Sequence, residues 1–167
     1  MLPDAFRQGH DRGPFQGQSP MFLTRLVYHS LADFMSGSGS VSDEMGRILS
    51  AGLRNNPPEG LTGVLAVDGD RFVQVLEGSR QAVSTTFRRI ARDAAHRGLQ
   101  IVFCGEVDQR CFSDWSVAVL REDSLPAPEG REVDYDHITA DGLVERARRI
   151  RETGLIARRE TLNADRA

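Results

Sequence analysis

The stretch RFVQVLEG, residues 71–78, has the composition of a buried β-strand. Phe72, Val73, Val75 and Leu76 all favour strands, whereas the amide of Gln74 stands among them. Side chains alternate along a strand, so Gln74 is predicted to face the same way as Phe72 and Leu76. A buried amide without hydrogen-bond partners costs about 1–3 kcal/mol. The pattern therefore predicts a polar partner for Gln74 on the inner face of a sheet.

The segments around this strand predict a regular order of elements. LTGVLAV (61–67) is a strand joined to RFVQVLE by Asp68-Gly69-Asp70, which is a strong hairpin signal. Three further strands and two helices are predicted, at 22–30, 99–107 and 115–120 and at about 41–56 and 80–96. The order β-α-β-β-α-β-β predicts a ferredoxin-like α+β sandwich, with two helices on one face of a mixed sheet.

A third amphipathic helix is predicted at about 140–152, after a proline-containing loop. Leu143, Ala147 and Ile150 give it an apolar stripe, which we expect to pack on the uncovered face of the sheet or to meet a partner. The chain is therefore expected to divide into a disordered tail (1–20), one domain (21–123) and a linker with a C-terminal helical extension (124–167). Met21 is a candidate start of the native protein.

The bulk composition argues against several classes of protein. The net charge is −3 and the charges are mixed along the chain, so no nucleic-acid partner is expected. The cysteines, Cys104 and Cys111, are too few for a disulfide framework and lack the spacing of metal ligands. No apolar run approaches the ~18 residues of a membrane span, and no signal peptide is visible. We expect a soluble, cytoplasmic protein with free thiols and no metal.

Two more polar side chains are predicted to face inward. Tyr28 ends the first strand on the face shared by Leu26, and Asn56 extends the apolar stripe of the first helix. Taken singly, a tyrosine bonded to a backbone carbonyl and an asparagine capping a helix are the ordinary explanations. Together with Gln74, they predict a cleft for a planar polar ligand between the helices and the sheet.

The predicted second helix carries a polar stripe. Arg89, Asp93 and His96 lie at i, i+4 and i+7, beside Ile90. Such a stripe is either a solvated face with an Arg–Asp pair or the mouth of the cleft.

These segments resemble a known family. LTRLVYHS, LRNNPPEGLTGVLAVDGDRFVQVLEG, RRIARDAAH and RCFSDWSVAVL together resemble the BLUF domain, a sensor of blue light using FAD, over about residues 21–122. The resemblance implies a photoreceptor rather than an enzyme, with Tyr28, Gln74 and Trp115 as its photoactive residues. It implies a flavin site made of Tyr28, Asn55, Asn56, Phe72, Gln74, Arg89, Ile90, Asp93 and His96. FAD is the cofactor it implies, and FMN or riboflavin also fits.

The resemblance assigns a role to the central residues. Tyr28 is the implied electron donor to the excited flavin, and Gln74 is the implied bridge between that tyrosine and flavin N5 and O4. An amide has a donor end and an acceptor end, so its rotation or tautomerisation changes the hydrogen bond to C4=O. That change implies a small red shift and a signal to a protein partner. A homo-oligomer is also implied.

The sequence departs from the family pattern at two positions. Val117 stands where the last strand commonly has methionine, and a valine side chain is too short to reach Gln74 as a thioether does. Ala95 stands where the family has arginine, which removes a cationic contact at the cofactor's edge. These departures favour an alternative, namely a flavin-free or photochemically silent interaction module. A remoter alternative is an acylphosphatase-like hydrolase, which would need an arginine in a phosphate-cradling loop after the first strand.

Overall fold

The computed structural model describes residues 22–33, 41–120 and 133–157. The predicted disordered tail, the candidate start at Met21 and the linker residues 124–132 lie outside these ranges. Within them, six strands, three α-helices and one short 3₁₀ helix follow one another: β1 (Leu23–Ala32), α1 (Val41–Asn55), the 3₁₀ helix (Pro57–Glu59), β2 (Thr62–Asp68), β3 (Arg71–Ser79), α2 (Arg80–Ile90), β4 (His96–Val107), β5 (Trp115–Val119), α3 (Ala140–Thr153) and β6 (Leu155–Ala157). In the described part of the chain, no helix has the length and apolar character needed to cross a membrane.

The strands form one mixed sheet in the order β4-β1-β3-β2-β5-β6. β2 and β5 are parallel, and every other neighbouring pair is antiparallel. β1 and β2 flank β3, so the chain makes the split β-α-β unit that the sequence predicted. The predicted ferredoxin-like α+β sandwich is confirmed, and β6 adds a three-residue strand that the sequence did not reveal.

Alternate residues of each central strand enter different cores. On one face, Leu26, Phe72 and Leu76 pack with apolar residues of α1 and α2. On the other face, Val73 and Val75 belong to a cluster that includes Leu143, Val144, Ala147 and Ile150 of α3. The C-terminal helix therefore covers the second face of the sheet, and residues 72–78 of β3 are all buried.

One row of side chains crosses the sheet beneath α1 and α2. Tyr28 on β1 lies opposite Gln74 on β3, Gln74 lies opposite Leu65 on β2, and Leu65 lies opposite Val117 on β5. Directly opposite residues in neighbouring strands share a face of the sheet. Leu65 therefore stands between Gln74 and Val117 in the register.

The second helix is shorter than predicted. It ends at Ile90, and β4 begins at His96, so the prediction of one helix over 80–96 is wrong. The chain leaves the helix through a tight turn, in which the N–H of Asp93 donates to the carbonyl of Ile90. The Asp93 side chain then accepts from the N–H of Ala95 at 3.1 Å, and this local bond competes with continued helix. Asp93 and His96 consequently do not share a helical stripe with Arg89.

A buried carboxylate fastens the β4–β5 connection to the sheet. The side chain of Glu77 on β3 is fully buried and accepts from Arg25 Nε at 2.7 Å. It also accepts from the backbone N–H groups of Cys111, at 2.8 and 3.0 Å, and of Phe112, at 3.1 Å. Charge-assisted bonds of this kind are stronger than neutral ones. Glu77 therefore holds residues 111–112 against the strand that carries Gln74.

Replacing Glu77 with glutamine tests this anchor. Glu77→Gln puts an amide NH₂ where a second acceptor oxygen now faces N–H donors, so we expect the free energy of unfolding to fall by about 1–3 kcal/mol. Urea denaturation measures the change. The matched control is Glu106→Gln, which removes a surface ion pair with Arg80 and is expected to change stability by less than about 0.5 kcal/mol. Equal effects of the two substitutions would contradict the anchoring role.

Candidate functional site

A cleft lies between α1 and α2 above the sheet. Its cavity volume is about 170 Å³. Both helices, β2, β3 and the α2–β4 connection contribute to its lining, which consists of Arg47, Ile48, Ala51, Gly52, Asn55, Asn56, Leu65, Gln74, Thr86, Arg89, Ile90, Asp93 and His96.

A tyrosine and a glutamine share a hydrogen bond at the floor of this cleft. Register places Tyr28 and Gln74 opposite each other on β1 and β3, and both are buried. The Tyr28 hydroxyl donates to Gln74 Oε1 in a short hydrogen bond. The phenol thus bonds a side-chain amide, not the backbone carbonyl considered above. Because Oε1 is committed to the phenol, the amide nitrogen is the end of Gln74 that remains for a ligand.

The surroundings of Tyr28 keep its phenol protonated. Burial, and secondarily the negative charge of Asp93, raises the pKa of Tyr28 well above its ordinary value of 10. The rings of Phe87 and His96 approach edge-on, with centroids 5.8 and 6.2 Å from that of Tyr28. Tyr28 is therefore neutral throughout the physiological pH range.

His96 is held as a neutral ring beside Tyr28. Its Nδ1 lies 2.9 Å from the hydroxyl oxygen of Ser30, and its ring centroid lies 4.7 Å from that of Phe72. Burial lowers the pKa of His96 to about 4; the positive charge of Arg47 adds to this effect, and Asp93 opposes it. At neutral pH the imidazole can therefore give or accept a hydrogen bond without carrying charge.

Two polar contacts cross the mouth of the cleft. Arg47 on α1 donates to both carboxylate oxygens of Asp93, at 3.1 and 3.2 Å. Burial raises the pKa of Asp93, but the bonds from Arg47 and Ala95 outweigh it, and the net pKa is lowered. Glu59 of the 3₁₀ helix accepts from Thr86 Oγ1 at 3.2 Å and lies 3.7 Å from the guanidinium of Arg89. These contacts connect α1 to the α2–β4 connection and the 3₁₀ helix to α2.

Most of the predicted site residues lie together. Seven of the nine predicted cofactor-binding residues line the cleft, namely Asn55, Asn56, Gln74, Arg89, Ile90, Asp93 and His96. Tyr28 and Phe72 lie beneath them and are fully buried. Asn56 has a right-handed helical backbone (φ −76°, ψ −44°) rather than the left-handed one of a typical asparagine cap, and its side chain makes no capping hydrogen bond to the 3₁₀ helix.

Trp115 faces inward, in the same layer as Gln74. It is buried in the core beneath α1 and α2, and a Cβ built on Gly52 of α1 would lie 3.4 Å from its Nε1. Within the described part of the chain, this buried indole nitrogen has no hydrogen-bond partner. A donor left in this way beside a cleft is available to a ligand or to an ordered water.

Sequence reasoning missed six residues that line the cleft: Arg47, Ile48, Ala51, Gly52, Leu65 and Thr86. Ile48 belongs to the apolar stripe of the first helix, and Thr86 lies one helical turn before Arg89. Those two spacings could have placed both residues at the cleft. No such spacing identifies Arg47, because its partner Asp93 was predicted to lie within the second helix, which ends at Ile90.

The donor set fits a flavin ring. Ile48, Leu65 and Ile90 offer apolar surface to the ring's faces, whereas the amides of Asn56 and Gln74 suit a polar edge that carries carbonyl and nitrogen acceptors. The volume of about 170 Å³ is below the roughly 300–1,000 Å³ typical of ligand pockets. Entry of the ring would therefore require the contacts across the mouth to separate.

Comparisons with known proteins agree with this chemistry. The family model described as BLUF, sensors of blue-light using FAD, matches residues 23–118. A photoactivated adenylate cyclase subunit beta from Euglena gracilis is 30% identical over 104 residues, which are 62% of this chain and 12% of that protein. The chain thus spans about an eighth of the length of that relative.

Two solved structures resemble the fold. The dark-state structure of the BLUF protein BlrB is 30% identical, with a TM-score of 0.52, and covers 59% of this chain and 71% of its own. The ground state of BlsA is 19% identical, with a TM-score of 0.60, and covers 77% and 87%. At that identity, the second likeness concerns the fold alone.

Proposed function

Because this chain belongs to the BLUF family of blue-light sensors that use FAD, we propose that it binds flavin in the cleft between α1 and α2 and senses blue light there. Domains of this family are photosensors rather than enzymes, although some relatives join them to an enzyme, as the name photoactivated adenylate cyclase indicates. The observation that carries the proposal is the buried hydrogen bond from Tyr28 to Gln74 at the floor of the cleft.

Tyr28 is the proposed electron donor. A flavin bound in the cleft would supply an electron acceptor when excited by blue light. The neutral phenol of Tyr28 holds its proton in a hydrogen bond to Gln74 Oε1, so the proton's path away from the phenol begins at that amide. Turning the Gln74 amide over would exchange the groups facing Tyr28 and the cleft without moving the backbone. A stronger hydrogen bond to the ring carbonyl lowers the excitation energy, and no substrate is consumed.

The other lining residues are proposed to hold the ring. Asn56, with Asn55 beside it, is proposed to bond the ring's carbonyl end, and Arg89 a further polar edge. Ile90 offers apolar surface to the ring, and Phe72 supports it from beneath. Asp93 and His96 are proposed to lie toward the cofactor's tail, while Trp115 lies on β5 in the same layer as Gln74. The convergence of most of these residues on one cleft, and the burial of Asn56, Phe72 and Trp115, support the assignment.

FAD is the proposed cofactor form, in keeping with the description of the family. FMN and riboflavin carry the same ring, and the lining residues are proposed to bind that ring. Ala95 is buried in the core and offers no cation. Arg47 is the cation that faces Asp93 and His96 at this end of the cleft, and Asp93 already balances its charge.

We propose that residues 21–123 form the sensor and residues 124–167 its output extension. Packing of α3 on the second face of the sheet supports this division. A protein partner is proposed to receive the signal, and a homo-oligomer and a cytoplasmic location are proposed with it.

An absorption spectrum before and after blue light tests the proposed function. We expect a yellow protein whose flavin band shifts reversibly to longer wavelength, because the hydrogen bond to the ring carbonyl strengthens. A colourless protein that takes up no flavin would instead support the flavin-free interaction module. Bound flavin without a shift would show a binder that lacks a photocycle.

A further inference from the structure

A second and larger cavity lies beside the β4–β5 connection. Its volume is about 630 Å³, and it runs between residues 110–113 and the C-terminal end of α3. Side chains from three separate segments line it, chiefly Arg110, Phe112, Arg148, Arg151, Glu152 and Ile156. We call this cavity the basic groove.

Two guanidinium groups in the basic groove share one aromatic ring. Arg148 and Arg151 lie three residues apart on α3, with guanidinium carbons 6.0 and 5.5 Å from the ring centroid of Phe112. Phe112 is only 3% exposed, so its ring is a fixed platform. Stacking restricts the rotamers of both arginines before any ligand arrives. Restricted guanidiniums lose less entropy on binding carboxylates than freely moving ones.

Positive charge exceeds negative charge in the lining. Three arginines face the groove beside a single carboxylate, Glu152. The hydrogen bonds of Arg110 go to uncharged oxygens: Thr62 Oγ1, the Glu77 carbonyl and the Gly60 carbonyl.

The carboxylates next to the groove reduce this excess to about one charge: with Arg149, four guanidiniums lie beside Glu152, Glu145 and Asp114. Arg148 shares the carboxylate of Glu145 with Arg149, at 2.8 and 3.1 Å. These exposed pairs contribute little, so an incoming carboxylate can replace them at small cost. Arg151 pairs with Asp114.

The rim adds apolar surface to this charge. Ile156 on β6 lines the groove and is 39% exposed, among the most exposed large apolar side chains of the described residues. β6 is also one of the two edge strands of the sheet. A groove with fixed guanidiniums and an apolar rim suits a segment that presents carboxylates together with an apolar side chain.

We propose that the basic groove docks an acidic segment of a partner protein, with carboxylates on Arg148 and Arg151 and an apolar side chain on Ile156. A protein segment is favoured over nucleic acid, because the chain as a whole carries a net charge of −3. The docking itself does not depend on flavin.

A link between the groove and light rests on the proposed function. Phe112 forms the floor of the groove, and its backbone N–H donates to Glu77, which lies three residues after Gln74 on β3. Arg110 bonds the carbonyl of the same glutamate at 2.8 Å. A shift of β3 at Gln74 would therefore reach the groove's floor through Glu77.

Titration of the full chain with an acidic peptide, followed by NMR in the dark, tests the docking. The probe is a short synthetic peptide with glutamates on both sides of a Leu-Phe pair, and its comparison replaces each glutamate with lysine. We expect saturable shifts at Phe112 and at the side chains of Arg148 and Arg151 with the acidic peptide only. The double variant Arg148→Gln, Arg151→Gln should bind about tenfold more weakly.

A matched control lies on the same helix. Arg149→Gln removes one positive charge outside the groove, as Arg148→Gln does within it, and is expected to change the affinity less than about twofold. If the double variant disturbs the β4–β5 connection through Asp114, Arg148→Gln alone should still weaken binding about threefold. If Arg149→Gln weakened binding as much as Arg148→Gln, the proposal would be overturned. The absence of saturable binding to the unaltered chain would also overturn it.

Two further measurements ask which segment occupies the groove and whether light changes the binding. If removal of residues 158–167 tightens binding about tenfold, the chain's own tail occupies the groove, and the external partner is overturned. Repeating the titration under blue light measures the coupling alone. A chain without a photocycle would still give the dark result, so failure of the light-sensing function is distinguishable from failure of the docking site.

Discussion

Gln74→Leu is expected to abolish the light-induced red shift while flavin remains bound. Leucine has a similar size and keeps the apolar layer between Phe72 and Leu76, but it offers no amide to Tyr28 or to the ring. The Tyr28 hydroxyl would lose its acceptor in a fully buried site, so the free energy of unfolding should also fall by about 1–3 kcal/mol. Lit-minus-dark absorption spectra measure the first effect, and urea denaturation the second.

The same substitution at an exposed glutamine provides the control. Gln100 lies on β4, away from the cleft, and its exposed amide donates to Asp136 Oδ1 at 3.5 Å. Gln100→Leu should leave the red shift unchanged. A normal red shift in Gln74→Leu would refute the proposed switch.

Gly63→Ala is expected to destabilise the fold more than any substitution considered above. Gly63 on β2 has a φ of +136°, which side chains other than glycine's rarely allow. A Cβ there would lie 1.9 Å from the Val75 carbonyl oxygen and 3.2 Å from Cζ3 of Trp115. Relief requires the backbones of β2 and β3 to separate, so the free energy of unfolding should fall by about 4 kcal/mol or more, as measured by urea denaturation.

A helical glycine supplies the comparison for this change. Gly46 lies in α1, and a Cβ built on it would meet nothing within 4 Å. Gly46→Ala should therefore raise stability by about 0.5–1 kcal/mol through helix propensity. If Gly63→Ala cost less than about 1.5 kcal/mol, the close approach of β2 to β3 would not be the restraint described here.

Local periodicity was sufficient to predict the sheet and the inward direction of Gln74. The two-residue alternation along a strand predicts which face of the sheet each side chain lies on, without knowledge of distant contacts. The Gly69-Asp70 pair predicts the β2–β3 hairpin in the same local way. Gly69 does have a positive φ, of 61°, at the first position of that turn. Part of the cleft could be predicted because Asn56 and Gln74 in its lining, and Tyr28 beneath them, each interrupt an apolar pattern.

Features that depend on contacts between distant segments were not predictable in this way. Residues 91–95 have helix-compatible composition, and the early end of α2 depends on the particular bonds that Asp93 makes. The partners of Glu77 come from residues 111–112, more than 30 positions away. The basic groove unites residues 110–113 with α3 and β6, whose proximity is a property of the folded sheet.

The double-sided burial of β3 also limits how its sequence can vary. Residues 72–78 are buried at every position, so none of them is a solvent-exposed site where size and polarity are unconstrained. In most surface strands alternate residues face solvent and can be substituted freely, so those positions say little about the fold. A strand in which every side chain has a packed or hydrogen-bonded neighbour permits few substitutions. This restriction gives a physical reason to expect that FVQVLEG, residues 72–78, tolerates little change.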